Sequence, residues 1–419
     1  MNESLGVFVV LENRFVLVVL VGSATPALKI STATRLNYAG IFLLTSILSY
    51  SMLTDFIEKH LEKLTLGYFN IQCGDRSCFG LIAVYRICFA STHGVLSSLT
   101  YGVRDSRDWR SKVQNSYWGL KLLVWLGLVV LTFLIPNGFY LFMGTWLNVP
   151  GAAVFVLIQI VLLIDFAYNV SETLIEKWEE TNEKKFLIFL CILTFGAFIL
   201  AIVLTGLNYS WFGGSQCQLN QFFITFNLLL CFFVTIVSIL PSVQSVNPKS
   251  GIAQAAMVTI YSTYLITSAV ANEPSENDTC NPLTAGGAKT TTIILGSLFT
   301  FLALAYSTNS AATKFHNGGE ENLPLITEQP GRLQQAVDQG AISAHDLEES
   351  LDDEKDGTQY SYSFFHFIFA IASMYLAMLV TSWNSVTVDV DGAAIIGRSM
   401  SAVWVKVISS WLVLILYIW

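Results

Sequence analysis

The chain has 419 residues, of which 53% are hydrophobic and only 12% charged, well below the roughly 25% charged content of soluble globular domains. That composition excludes an ordinary soluble domain and points to a chain that lives in lipid. The formal net charge of -8 sits in one segment: between Lys314 and Asp356 there are eleven acids against three bases, and the remainder is balanced at nineteen of each. An acidic pole of this kind argues against nucleic acid as a partner.

At the N-terminus, residues 5–22 (LGVFVVLENRFVLVVLVG) are long enough to span, but Glu12, Asn13 and Arg14 occupy the centre. Each ion there would cost roughly 2.5 to 3.5 kcal/mol. The basic n-region of a signal peptide is missing, so residues 1–30 are expected to be peripheral or half-inserted. Ten apolar stretches follow, each near the 20 or so residues that cross a hydrocarbon core as a helix. They are 37–53, 79–99, 117–136, 151–170, 186–207, 219–240, 253–271, 290–307, 362–382 and 400–419. The predicted fold class is all-α, a polytopic membrane protein of about ten transmembrane helices. Spans 1–8 form a membrane domain over 31–307 and spans 9 and 10 lie in 361–419. The acidic connector over 308–360 has the composition of a disordered loop.

The loop 103–112 carries Arg104, Arg107, Arg110 and Lys112, which by the positive-inside rule is cytosolic. Alternation then puts both termini and the acidic connector in the cytosol. Cys73, Cys78, Cys217 and Cys280 all fall in loops on the opposite, oxidising side and are disulfide candidates; four cysteines allow three pairings. The sequons at Asn208 and Asn277 fall there too and are glycosylation candidates. Cys88, Cys191 and Cys231 lie within spans, as small apolar side chains. In the connector, Glu321, Leu325 and Ile326 of ENLPLI match an acidic dileucine sorting signal. That signal points to the endomembrane system: vacuole, Golgi or plasma membrane.

Ionisable groups inside spans usually turn toward protein or a water-filled cavity. Here they are Arg86, Lys121, Asp165 and Lys406, joined by the amides Gln114, Asn115, Gln159, Asn169, Asn220 and Asn227. Each either lines a path for polar headgroups or locks helices together. Asp165, Asn169, Glu172 and Glu176 share one helical face. Their helix, from Gly151 to Glu180, runs about 45 Å against a core of about 30 Å. Counting rise from the outer ends puts Asp165 about 21 Å deep and both Arg86 and Lys406 about 10 Å deep. Lys121 is the cation nearest Asp165 in depth.

The five histidines, His60, His93, His316, His345 and His366, are scattered, and no CxxC, HExxH, Ser-His-Asp or nucleotide-loop pattern appears. No metal site, cofactor or catalytic centre is expected. His93 and His366 read as isolated, packed histidines.

Several stretches together resemble the serine incorporator family, also called SERINC or TMS. They include STATR (31–35), AVYRICFA (83–90), SRDWRSKVQNSYWGLK (106–121), LIQIVLLIDFAYN (157–169), QLNQFFITFNLLLC (218–231), DEKDGTQYSYSFFHF (353–367) and AVWVKVISSW (402–411). The resemblance, closest to fungal members, implies ten spans in two bundles bridged by a long diagonal helix that matches the stretch from Gly151. It implies non-selective, energy-independent scrambling of lipids, and the family's name implies delivery of serine for phosphatidylserine and sphingolipid synthesis. Two departures stand out: Gly22-Ser23-Ala24 lacks the family's flanking cysteines, and the chain stops at Trp419 inside its last span, so it reads as truncated. The favoured expectation is a phospholipid scramblase with membrane phospholipids as partners. An accessory protein for serine- and sphingolipid-synthesis enzymes comes second and a small-molecule transporter third. An enzyme is least favoured; a homo-oligomer is a further expectation.

Overall fold

The structure is a computed structural model that describes residues 10–11, 14–15, 29–51, 90–132, 142, 144–247, 250–274, 280–281, 300, 352–355, 357–380, 386–388, 394–396 and 400–418. The protein is an all-α polytopic membrane protein. Its helices are α1 (Ile30–Ser51), α2 (residues 90–99), α3 (Trp109–Asn115), α4 (Trp118–Thr132), α5 (Val149–Thr181), α6 (Lys184–Phe212), α7 (Gln218–Ser238), α8 (Pro241–Val246), α9 (Ile252–Val270), α10 (Tyr362–Val380) and α11 (Met400–Ile418). Two short antiparallel pairs accompany them: β1 (Val10–Leu11) with β2 (Arg14–Phe15), and β3 (Val386–Val388) with β4 (Ala394–Ile396). Five helices among the described residues are long and apolar enough to cross a membrane: α5, α6, α7, α10 and α11. The expected span 290–307 lies outside the described residues save Thr300.

The chain divides into two compact units. One holds residues 1–147 and 304–377, the other 148–303 and 378–419. In the first, a core of rings gathers around Tyr38 of α1, which meets His93, Trp118, Phe365 and His366 edge-on at centroid distances of 4.9 to 5.7 Å. Edge-to-face contact suits rings whose faces are negative and edges positive.

The second unit is organised by α9, which packs against α5, α6, α7 and α11. Its sequence is rich in Ala, Ser and Thr, and small side chains let neighbouring helices approach closely without a hydrophobic driving force. Fourteen of its 19 residues are buried. By contrast α6 turns most of its length outward, exposing Ile188, Phe189, Ile192, Phe195 and Ile199, as a helix bathed in lipid does. Phe212, Phe223, Ile224, Ile266, Ala269, Val270, Val403 and Val407 close one apolar cluster of this unit.

Local chemistry sets both ends of α5. Pro150 sits in its first turn, where a missing N–H does no harm. The helix then runs 33 residues to Asn182, which ends it in the left-handed conformation at φ 55. At about 50 Å it exceeds the hydrocarbon thickness, as its length in sequence predicted. Helix α6 extends beyond the predicted 186–207 to Phe212 and stops at Gly213, where a Cβ would lie 2.6 Å from the carbonyl of Tyr209.

Candidate functional site

The first unit holds a buried hydrogen-bonded chain of ionisable and polar side chains. Nδ1 of His93 and Nδ1 of His366 lie 2.7 Å apart, and Nε2 of His366 is 2.6 Å from Oε1 of Gln114. Gln114 Nε2 in turn donates to the hydroxyl of Tyr360 at 3.0 Å. That orientation makes Gln114 Oε1 an acceptor, so His366 carries its proton on Nε2 and presents a bare Nδ1. The shared proton between the two rings therefore belongs to Nδ1 of His93. Lys121 donates to the carbonyl of Gln114 at 2.8 Å, with its ammonium 4.0 Å from the Trp118 ring and 5.0 Å from that of Tyr38, within cation–π range.

Beside this chain, three consecutive acids each clasp a different element. Asp352 accepts from the Ser106 hydroxyl at 2.8 Å. Asp353 accepts from the backbone N–H and the hydroxyl of Ser31, at 3.2 and 2.6 Å, supplying a carboxylate to the N-terminus of α1 from 322 residues away. Unpaired N–H groups and the positive end of the helix dipole favour an anion there. Glu354 is fully buried and accepts from Tyr362 at 2.5 Å, Asn115 at 3.0 Å and the N–H of Gln359 at 3.1 Å. Among the described residues no cation pairs with it, and burial pushes its carboxyl up from 4.5 to about 7 against the pull of those donors. The connector expected to be disordered over 308–360 is thus folded at its C-terminal end, because its last acids have buried donors to satisfy. The sorting motif Glu321, Leu325 and Ile326 lies outside the described residues.

In the second unit the polar groups are mostly neutral. Asn227 is buried; its Oδ1 accepts from Ser262 at 2.5 Å and Ser410 at 3.4 Å, and its Nδ2 faces Thr263 at 3.5 Å. Lys406 donates to the carbonyl of Ser268 at 3.2 Å, as does Asn272 at 2.7 Å. The backbone N–H of Asn272 turns instead to Ala269, so these side chains satisfy a carbonyl in the last turn of α9, where cations are favoured. Asn281 does the same for Val270, Ala271 and Glu273. A disulfide joins Cys217, ahead of α7, to Cys280. On α5, Asp165 accepts from Asn169 one turn on at 3.4 Å; both are half-buried, as is Glu172, and Glu176 is exposed.

Comparison with known proteins matches this chain to one family. The model of the family described as Serine incorporator (Serinc) matches residues 15–419. The chain is 35% identical to Membrane protein TMS1 of Saccharomyces cerevisiae, over 93% of this chain and 88% of that protein. The chain belongs to the serine incorporator family. It is also 36% identical to the probable serine incorporator of Dictyostelium discoideum, over 87% and 85% of the two chains, and 32% identical to Serine incorporator 3 of Bos taurus, over 96% and 92%.

Within this serine incorporator, the residues singled out from sequence scatter over several roles. Lys121 serves the ring core of its own unit. Lys406 and Asn227 hold α9 to its neighbours, and Gln159 is buried with its Oε1 unsatisfied among the described residues. Asp165 and Asn169 are half-buried, as is Lys121. Arg86, Cys73, Cys78 and Asn277 lie outside the described residues. Asn208 is corrected: because α6 runs on to Phe212, its amide is buried and donates to Thr267 at 2.9 Å, which leaves no room for a glycan on that nitrogen. His93 and His366 are packed and hydrogen-bonded as expected, but to each other rather than in isolation. Glu354, Tyr360 and Tyr362 were not singled out; the run DEKDGTQYSY, with three acids and two tyrosines beside a span, was the available signal. Among the described residues no three metal-ligating side chains converge.

Proposed function

We propose that this serine incorporator moves phospholipids, phosphatidylserine among them, between the two leaflets without an energy source. The observation that carries the reading is the stripe Asp165, Asn169, Glu172 and Glu176 on α5, whose first three members are half-buried and whose last is exposed. A headgroup crossing hydrocarbon needs a polar, hydrated surface while its acyl tails stay in lipid, and a stripe left partly open supplies one. No nucleotide-binding loop of the form GxxxxGK[ST] occurs in the sequence, so the movement runs downhill. No bond is made or broken in this reading, and the protein is not an enzyme. The basic loop 103–112 lies on the cytosolic face with both termini and the acidic connector, in an endomembrane such as vacuole, Golgi or plasma membrane.

The test is a lipid-flip assay in vesicles with fluorescent phosphatidylserine. The intact protein should expose the inner-leaflet pool to an outside quencher, and Asp165→Ala should slow that exposure by about ten-fold, the effect of roughly 1.4 kcal/mol on the barrier. A flip rate equal to that of empty vesicles sinks the proposal.

The names of the Dictyostelium and bovine relatives, serine incorporators, favour a second reading, an accessory to the incorporation of serine, in which we take phosphatidylserine- and sphingolipid-synthesis enzymes as the partners. It calls for co-purification with those enzymes and a fall in serine-derived lipids on deletion, with no flip activity in vesicles.

A further inference from the structure

The segment between α2 and α4 presents an unusual surface. Tyr101 is 76% exposed, Trp109 64% and Tyr117 51%, and Arg104, Arg107 and Lys112 are exposed beside them. Trp109 and Lys112, three residues apart, lie on one face of α3. Arg110 reaches back to the carbonyl of Tyr101 at 2.8 Å and so holds the start of the loop against the start of α3. Tyr117 is held at φ 60 between α3 and α4, a conformation that is uncommon outside glycine and persists only where the surroundings enforce it.

The acids in this neighbourhood are engaged elsewhere. Asp108 is ion-paired to Arg110 at 2.7 Å, and its carboxyl is held below the usual range by hydrogen bonds from that arginine. Asp105 accepts from the backbone N–H of Arg107. Asp352, Asp353 and Glu354 point at Ser106, Ser31 and the Asn115–Tyr362 pair. None of these contacts goes to the side chain of Arg104 or Lys112, and both of those bases are exposed.

We propose that this surface, Tyr101, Arg104, Trp109, Lys112 and Tyr117, docks anionic phospholipid headgroups of the adjoining leaflet. The loop is only as long as the link between two helices of a membrane domain, so the bilayer is its unavoidable neighbour. Tryptophan and tyrosine rings favour the headgroup level, with an apolar body and a polar tip. Each base near an anionic surface strengthens association roughly five-fold, an effect that falls off within a Debye length. A soluble acidic partner would not account for three exposed aromatic rings at that level. The proposal stands apart from lipid translocation, since a headgroup can dock here whether or not lipids cross the protein.

The experiment is photo-crosslinking of the full chain in phosphatidylcholine vesicles doped with photoactivatable phosphatidylserine or phosphatidylcholine, with adducts mapped by mass spectrometry. Phosphatidylserine should label residues 101–117 at least about five-fold more than phosphatidylcholine does, and added salt should erase the difference. Arg104→Gln with Lys112→Gln should bring the two lipids level at this loop while labelling of lipid-facing α6 stays unchanged. If that double variant also loses its α6 pattern, the charge-keeping pair Arg104→Lys with Lys112→Arg decides, and it must label like the intact protein. Equal labelling by both lipids in the intact protein, or a preference that survives the double substitution, overturns the proposal.

Discussion

The two units solve one problem, polar groups buried in a membrane protein, by different chemistry. The first joins ionisable groups to one another: two facing histidines, a lysine on aromatic rings, and a buried carboxylate fed by three donors. Among the described residues the second relies chiefly on amides and hydroxyls, with Asn220 donating to the Glu273 carboxylate, and brings the Lys406 ammonium to a helix-end carbonyl. The difference shows where sensitivity to protons should reside. The amide and hydroxyl contacts around Asn227 keep their hydrogen bonds at any ordinary pH, whereas a buried carboxyl such as that of Glu354 changes its charge with pH.

The largest expected effect is therefore a pH dependence at the contacts of Glu354 in the first unit, and its absence would break the comparison. The carboxyl of Glu354 is raised from 4.5 to about 7 in the folded state. The folded form thus binds its proton more tightly than the unfolded form does. Its stabilising contribution is complete below 4.5 and is lost as pH rises through about 7, amounting to about 3 kcal/mol. Hydrogen exchange of the α3 and α10 amides should report that loss between about pH 5 and pH 8, beyond the intrinsic exchange trend seen in α9. Glu354→Gln should remove the slope; a slope that survives in this variant ends the assignment.

A smaller effect is expected from Asn227→Leu, which leaves the hydroxyls of Ser262, Ser410 and Thr263 without their partner. Thermal unfolding in detergent should show a loss of about 2 kcal/mol, the same at each pH. A pH-dependent loss would mean that a titrating group acts on these contacts and would blur the contrast.

The smallest effect sharpens the histidine pair. In a double-mutant cycle of His93→Leu and His366→Leu, the two losses should fall short of additivity by about 1 kcal/mol, because each single change removes the same 2.7 Å contact. His366→Leu alone should be the costlier, since it also orphans Gln114 Oε1. Strict additivity would mean that the rings pack together without sharing a proton.

How much of this was legible in sequence depends on the range of the interaction. The length of α5 and its stripe could be read directly, because residues four apart in one helix must share a face. The basic loop was equally plain. By contrast, Asp353 and Ser31 are 322 residues apart, and His93 and His366 are 273 apart; no local pattern links them. Composition even misled at the end of the connector, where acids that look solvated become caps and buried acceptors. Helix limits misled at Asn208, since an apolar run does not reveal how far its helix continues.

The sequence by itself determined that the chain is an all-helical membrane protein, because hydrophobicity, charge placement and helical period are properties of neighbouring residues. Tertiary structure alone decided which polar groups meet. It turned Lys406 from a lone charge in a span into a helix-end donor, and a disordered-looking acidic run into a clasp on α1, α3 and α10. Desolvation forces each buried polar group to find a partner, and which partner it finds is a matter of three-dimensional packing.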